Sequence, residues 1–275
     1  MRTLDILVHL RQYSGDPPAL RAALALSRRL DACLHGLYVA PIPPAAFTSP
    51  ETVAVLVHES DRHYREAGAA AGWWQQRLEA AGARGNWLVA QSDALDAIAY
   101  AARWNDLIVI ERPQQQPDAP LGWGLVSRSA FAAGAPLLVI PESAEVNELG
   151  RRIVVLWNGS RESIRAVHGA LPLLRKADSV IVLDGENRSN GNGGLLQLPP
   201  FDLRRHLAAH AIAAEFQPFS APDDRGAGLL AAARNTGADL IVMGAWGHSR
   251  IAELIVGGVT RHLFQHADRA LFVAH

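Results

Sequence analysis

The chain has one cysteine, Cys33, in 275 residues, so no internal disulfide can form. A reducing compartment is the economical reading, and the expected location is cytoplasmic. Charge of one sign is also missing. Lys and Arg number 26 against 27 Asp and Glu, and no basic run is long enough to attract nucleic acid or an acidic membrane. No apolar run approaches the roughly 20 residues that span a bilayer. The opening "MRTLDILVHL" enters a strand-like run broken by Asp5 and His9, without the apolar core and cleavage site of a signal peptide. There is no P-loop Gly-Lys-Ser/Thr pattern and no convincing Ser-His-Asp or paired-carboxylate set, so no catalytic residue is assigned.

What is present is a sequence written twice. "DLIVIERPQQQPDAPLGWGLVSRSAFAAGAPLLVI" begins at Asp106 and "DLIVMGAWGHSRIAELIVGGVTRHLFQHADRALFV" at Asp239, an offset of 133 (239 − 106) that holds without a gap. Gly124 pairs with Gly257, Val126 with Val259, Arg128 with Arg261 and Phe131 with Phe264. The halves also begin alike, with "DILVHL" and "RRIVVLW" each leading a helical pattern. Two homologous domains are expected, residues 1–142 and 150–275, joined through "ESAEVNELG".

Short apolar runs alternate with helical patterns in each half. Strands are predicted at Ile153–Trp157, Val180–Leu183, Ala214–Pro218, Leu240–Met243 and Ala270–Ala274. Ser160 can cap a helix whose Ile164, Val167, Leu171 and Leu174 share a face. In the first half Asp16-Pro17 reads as a helix start, Asp capping and Pro in the first turn. The alternation implies an α/β fold, a doubly wound and mainly five-stranded parallel sheet flanked by helices in each domain. Ligands in such sheets lie beyond the carboxyl ends of the strands, near the switch in strand order.

At that place the second half carries "VMGAWGHSRIAELIVGGVTRHLF". Gly244 and Gly247 let the main chain approach a ribose and phosphate without Cβ atoms in the way. Gly257 and Gly258 open a helix whose free N–H groups, those of Val259 and Thr260 included, can point at an anion. The simpler alternative is that these glycines form turns and tight helix–strand packing.

"GAWGHSRIAELIVGGVT" resembles the Gly-x2-Gly-x9-Gly loop of the universal stress protein (UspA) family, and "VVLWNGSRESIRAV" resembles that family's first strand and turn. The resemblance covers nearly the whole chain as two tandem Rossmann-like (UspA-like) domains. It implies that the second domain binds ATP or another adenine nucleotide, with Trp157, Asn158, Met243, Gly244, Gly247, Gly257, Gly258, Val259 and Thr260 around it; no particular metal is implied. It also implies a stress-response sensor or regulator rather than an enzyme. A protein-interaction scaffold is the alternative from another class, and a slow phosphohydrolase using His248 a third. Family dimers pair through the last strand. The two domains are therefore expected to pair "PLLVI" with "ALFVA" in an intramolecular pseudo-dimer, with a further homodimer possible.

Two departures bear on ATP. Gly258 stands where the family has Ser or Thr, which removes one hydroxyl but keeps the N–H, and Asn158 stands where it has the adenine-contacting Asp. Trp157 can stack on a base or fill its space. The first domain departs further: Glu111 matches Gly244, Gln114 matches Gly247, Leu125 matches Gly258 and Arg11 matches Asn158, so its site is expected to be dead for nucleotides. His206/His210 and His262/His266 have the i, i+4 spacing of zinc ligands, but no cysteine pair or carboxylate completes either set, and ordinary surface or capping histidines are the simpler reading. "DGENRSNGNGGLLQLPPFD" reads as either a lid over the site or a disordered insertion. Trp73, Trp74 and Trp87 read as helix-to-sheet core rather than a stacking platform.

Overall fold

The computed structural model describes residues 3–42, 50–113, 124–144, 146, 149–185, 202–220, 225–245 and 258–275. The chain divides into two compact units, Met1–Asn147 and Glu148–His275.

In the first unit the strands are β1 (Asp5–Leu10), β2 (Cys33–Pro41), β3 (Trp87–Ser92), β4 (Leu107–Arg112) and β5 (Leu137–Pro141). Every pairing is parallel, in the order β3-β2-β1-β4-β5. The helices are α1 (Pro18–Leu30), α2 (Pro50–Ala69), α3 (Ala71–Ala81), α4 (Ala94–Ala101) and α5 (Leu125–Ala132). The second unit repeats the plan with β6 (Arg152–Trp157), β7 (Ser179–Asp184), β8 (Glu215–Pro218), β9 (Leu240–Gly244) and β10 (Ala270–Ala274), in the order β8-β7-β6-β9-β10, again all parallel. Its described helices are α6 (Arg161–Leu174), α7 (Leu203–Ala209), α8 (Arg225–Asn235) and α9 (Val259–His266). Right-handed crossovers on this order place helices on both faces, so each unit is a doubly wound α/β sheet.

The central strands are short, β-branched and buried, as strands covered on both faces must be. Ile6, Leu7, Val8, Ile108, Val109, Ile153, Val154, Ile241 and Val242 are at most 1% exposed. Ile6 lies opposite Leu107 and Ile153 opposite Leu240, so the register aligns β1 with β6 and makes Arg11 the counterpart of Asn158. An aspartate at the foot of the fourth strand clamps the start of the first in both copies. Asp106 accepts the N–H of Asp5, and Asp239 accepts those of Gly150, Arg151 and Arg152.

Trp73, Trp74 and Trp87 form the expected helix-to-sheet cluster, with ring centroids 5.6–6.2 Å apart. Gly36 makes room for it, since a Cβ there would lie 2.7 Å from Trp87 and 2.9 Å from Trp74.

Two helix expectations need correction. The buried face of α6 is Ser163, Ala166, Val167, Ala170, Leu173 and Leu174 with Glu162, while Ile164 is 40% exposed. Small residues face the sheet there because the helix runs close against β9. The cap of α1 is Pro17, with Pro18 as its first helical residue and no side-chain cap. Asp16 instead faces Arg21 and Arg77, each 3.9 Å away. Between the units, Ala144, Val146 and Leu149 are buried, so this stretch is less of a solvated linker than its polar residues suggest.

Candidate functional site

The chain leaves β6 and β9 at the carboxyl edge of the second sheet. There Trp157 is half-buried, and its carbonyl accepts the N–H of Gly185 at 2.9 Å. Asn158 is exposed, and its Oδ1 accepts the Ser160 N–H at 3.1 Å, closing a tight turn through Gly159, whose φ is +72°. Ser160 then caps α6, its Oγ accepting the Ser163 N–H at 3.2 Å.

On the neighbouring strand Met243 is 3% exposed, so its side chain is core and only its backbone is available at the edge. Gly244 is packed from behind: a Cβ there would lie 2.5 Å from the Glu162 carbonyl carbon and the Ser163 nitrogen. The missing side chain thus admits the first turn of α6. Packing alone accounts for a glycine here, whatever a ligand also requires. The buried Glu162 lies in that turn, and its Oε2 has no hydrogen-bond partner among the described residues. Sequence reasoning did not single out Glu162, because an acidic residue in a first helical turn reads as a solvated partner of the helix dipole.

After the loop, Gly258 is the N-cap of α9, in extended conformation and without a side-chain cap. The helix returns toward the amino edge, so its N-terminus faces the same edge as Gly244 and Asn158. Val259 follows at half burial. Thr260 is buried, 3% exposed. Gly247, Gly257 and His248 lie outside the described residues, as does nearly all of the Gly/Asn-rich segment after Asp184. Two further residues reach this edge. His275 Nδ1 lies 3.0 Å from the carbonyl oxygen of Ala245, and Arg165 donates to the His275 carbonyl at 2.9 Å.

The matching edge of the first unit is built differently. Glu111 takes the place of Gly244, and its Oε2 accepts the Ala19 N–H in the first turn of α1 at 3.5 Å. Beneath it lies a cavity of about 210 Å³, whose walls include His9, Arg11, Gln12, Ala19, Glu111 and Glu142. Burial pushes the Glu111 carboxyl up, the Ala19 N–H opposes this, and the charge of Glu142 adds to the rise. His9 is 6% exposed, and burial, helped by Arg11, lowers its pKa to about 4. The ring is therefore neutral at physiological pH.

The i, i+4 histidines meet ring to ring with centroids 4.6 Å apart in each pair, His206 and His210 edge-on and His262 and His266 tilted. His168 joins His206 at 4.9 Å, and Arg175 lies 2.7 Å from Nδ1 of His210. Among the described residues no group of three or more His, Cys, Asp or Glu side chains could hold a metal ion.

The architecture defines a class: two units of doubly wound parallel α/β sheet, each with its open edge at the β1/β4-type switch point. Residues 203–275 match the model described as the universal stress protein family. Along its whole length the chain has the fold of a universal stress protein from Archaeoglobus fulgidus DSM 4304, with 17% identity, a TM-score of 0.74, and 100% and 99% of the two chains covered. A functionally unknown protein from Pseudomonas aeruginosa PAO1 matches with 14% identity and a TM-score of 0.57, over 99% of this chain and 92% of that one. A half-length universal stress protein from Archaeoglobus fulgidus in complex with dAMP is 19% identical over 50% of this chain and 98% of its own, with a TM-score of 0.30. No curated protein matches the sequence. Among the described residues no helix is long and apolar enough to cross a membrane.

Proposed function

We propose that the second unit binds an adenine nucleotide at the carboxyl edge of β6 and β9 and acts as a stress-response sensor or regulator rather than as an enzyme. The observation that carries this reading is the spacing Gly244-x2-Gly247-x9-Gly257, running from the end of a buried parallel strand to α9. The N-cap of α9 is a glycine with no side-chain cap, and a helix N-terminus of that kind suits an anion. Asn158 and Trp157 border the same edge on the neighbouring strand, where an adenine ring would lie. Gly258 in place of a hydroxyl residue weakens the grip on a terminal phosphate, so AMP and ADP are expected to bind at least as well as ATP.

Calorimetric titration with ATP, ADP and AMP tests the reading. Absence of heat and of any thermal shift with all three at millimolar ligand overturns it. Gly247→Trp should abolish whatever binding is seen, and steady phosphate release lost in His248→Ala would instead mark a phosphohydrolase.

One observation favours a second reading, a scaffold for protein partners. Gly244 is required by its packing against α6, so its presence alone does not call for a ligand. The pairing of the last strands, β5 with β10, also stands as a proposal. Cross-linking between cysteines placed on the two strands would test it.

A further inference from the structure

Helix α7 has a small apolar anchor. Of its seven residues only Leu203 and Leu207 are buried, and so short a helix does not hold by itself. Its other contacts are aromatic and polar. Arg204 lies over the Phe216 ring of β8 at 4.0 Å, and His206 meets His168 of α6 at 4.9 Å. His210, the C-cap, lies 4.6 Å from His206, and its Nδ1 is 2.7 Å from Arg175 of α6. Arginine has only N–H donors, so this Nδ1 accepts, and the proton of that ring sits on Nε2. Nε2 of His206 is buried and has no hydrogen-bond partner among the described residues. A neutral ring can leave a lone pair there. An imidazolium would bury a second N–H with no acceptor and set a charge against its neighbours. Those neighbours are basic: His168 and Arg175 from α6, and His210 from α7 itself. The one carboxylate of α6, Glu162, lies in its first turn, and Asp184 ends β7 at the carboxyl edge. The carboxylates that flank these elements are engaged elsewhere. Asp202 accepts the Arg205 N–H at 2.7 Å, Asp178 pairs with Arg151 at 3.2 Å, and Glu215 accepts from Gln217 at 2.9 Å. Among the described residues no carboxylate forms an ion pair with His168, Arg175, His206 or His210.

We propose that the contact of α7 with α6 is a pH-sensitive latch, closed at neutral pH and opened when His206 takes up a proton. In the open state α7 leaves α6 while β6, β7, β9 and β10 stay paired. Burial, with the charges of His168 and His210, lowers the His206 pKa in the closed state. The open state therefore binds a proton that the closed one refuses. Closure is complete above the ordinary value of 6.5 and weakens as pH falls below it. A charge on His210 alone would suit the C-terminus of α7, which leaves His206 as the trigger. The latch is separate from the nucleotide reading and does not depend on it.

Amide hydrogen exchange of the full chain at about pH 7.5 and about pH 5.5, corrected for intrinsic rates, tests this. Protection of α7 should fall several-fold, at most about tenfold per pH unit for one proton, while β9 and β10 keep theirs. The readout lies wholly in the second unit, apart from the titration of His9 in the first. His206→Phe keeps a ring in place and should hold α7 protection equal at both pH values. His168 is exposed, so His168→Gln should leave the fold intact and shrink the fall. If His206→Phe fails to fold, His168→Gln decides. A fall in α7 no larger than in β9, or one that is unchanged in the deciding variant, overturns the proposal.

Discussion

At the end of its fourth strand the first unit carries Glu111, and at the matching place the second carries Gly244. The two residues solve one problem, how to satisfy the first turn of the helix that follows the first strand. In the second unit Ser160 caps α6 from within the helix, and Gly244 stands aside so that the turn can pack directly on β9. In the first unit the cap position is Pro17, which has no side chain able to accept, and Glu111 reaches across from β4 to the Ala19 N–H. The absence of the glycine in the first unit thus has a packing counterpart. It goes with the absence of a serine cap, and the side chain in the glycine's place lines the cavity at that edge.

The largest expected effect comes from giving Gly244 a side chain. Gly244→Ala should cost about 3 kcal/mol or more in denaturant unfolding, because its Cβ meets backbone of α6 that cannot turn away. Near-native stability in this variant would dissolve the contrast between the units. Next is His9, whose counterpart in the second unit is Leu156. Its folded pKa lies below the ordinary 6.5, so between about 4 and 6.5 the unfolded chain binds the proton that the native chain refuses. The native protein should lose about 3 kcal/mol as pH falls through that window, and His9→Leu should remove this slope. Ser160→Ala should cost about 1 kcal/mol, measured the same way. Glu111→Gln is the smallest, below about 1 kcal/mol, with a signature in pH rather than in size. A carboxyl raised in the folded state binds more protons there than in the unfolded chain. Stability should thus fall as pH rises from the usual carboxylate range through the raised value, and that fall should be absent in the variant.

The sheet was readable because its strands are short runs of Val, Ile and Leu, and because the repeat fixed one half against the other. The strand register then placed Arg11 opposite Asn158 where the ungapped alignment no longer reached. The face of α6 was misjudged for a definite reason. Periodicity weights large apolar residues, so Ile164 was drawn inward, whereas close packing on a strand selects Ser163, Ala166 and Ala170. Asp16 ahead of a proline reads as a cap, but the second proline shifts the helix start by one residue and frees the carboxylate for Arg21 and Arg77. In the candidate nucleotide site, spacing picked out backbone positions such as Gly258. It had no means of finding Glu162, whose burial depends on how closely a helix meets a strand. The cavity around His9 was equally hidden, since its walls come from three strand ends far apart in the chain.

Asp239 gathers three successive N–H groups at the entry to β6, and Asp106 holds the Asp5 N–H at the entry to β1. A consequence concerns ancestry and modularity. Each copy carries, inside its own span, the acceptor that sets where its first strand begins, so a duplicated stretch brings its own punctuation and owes no start signal to what precedes it. The aspartate stands in both halves, where Gly244, the serine cap Ser160 and Asn158 of the second have no like residue in the first.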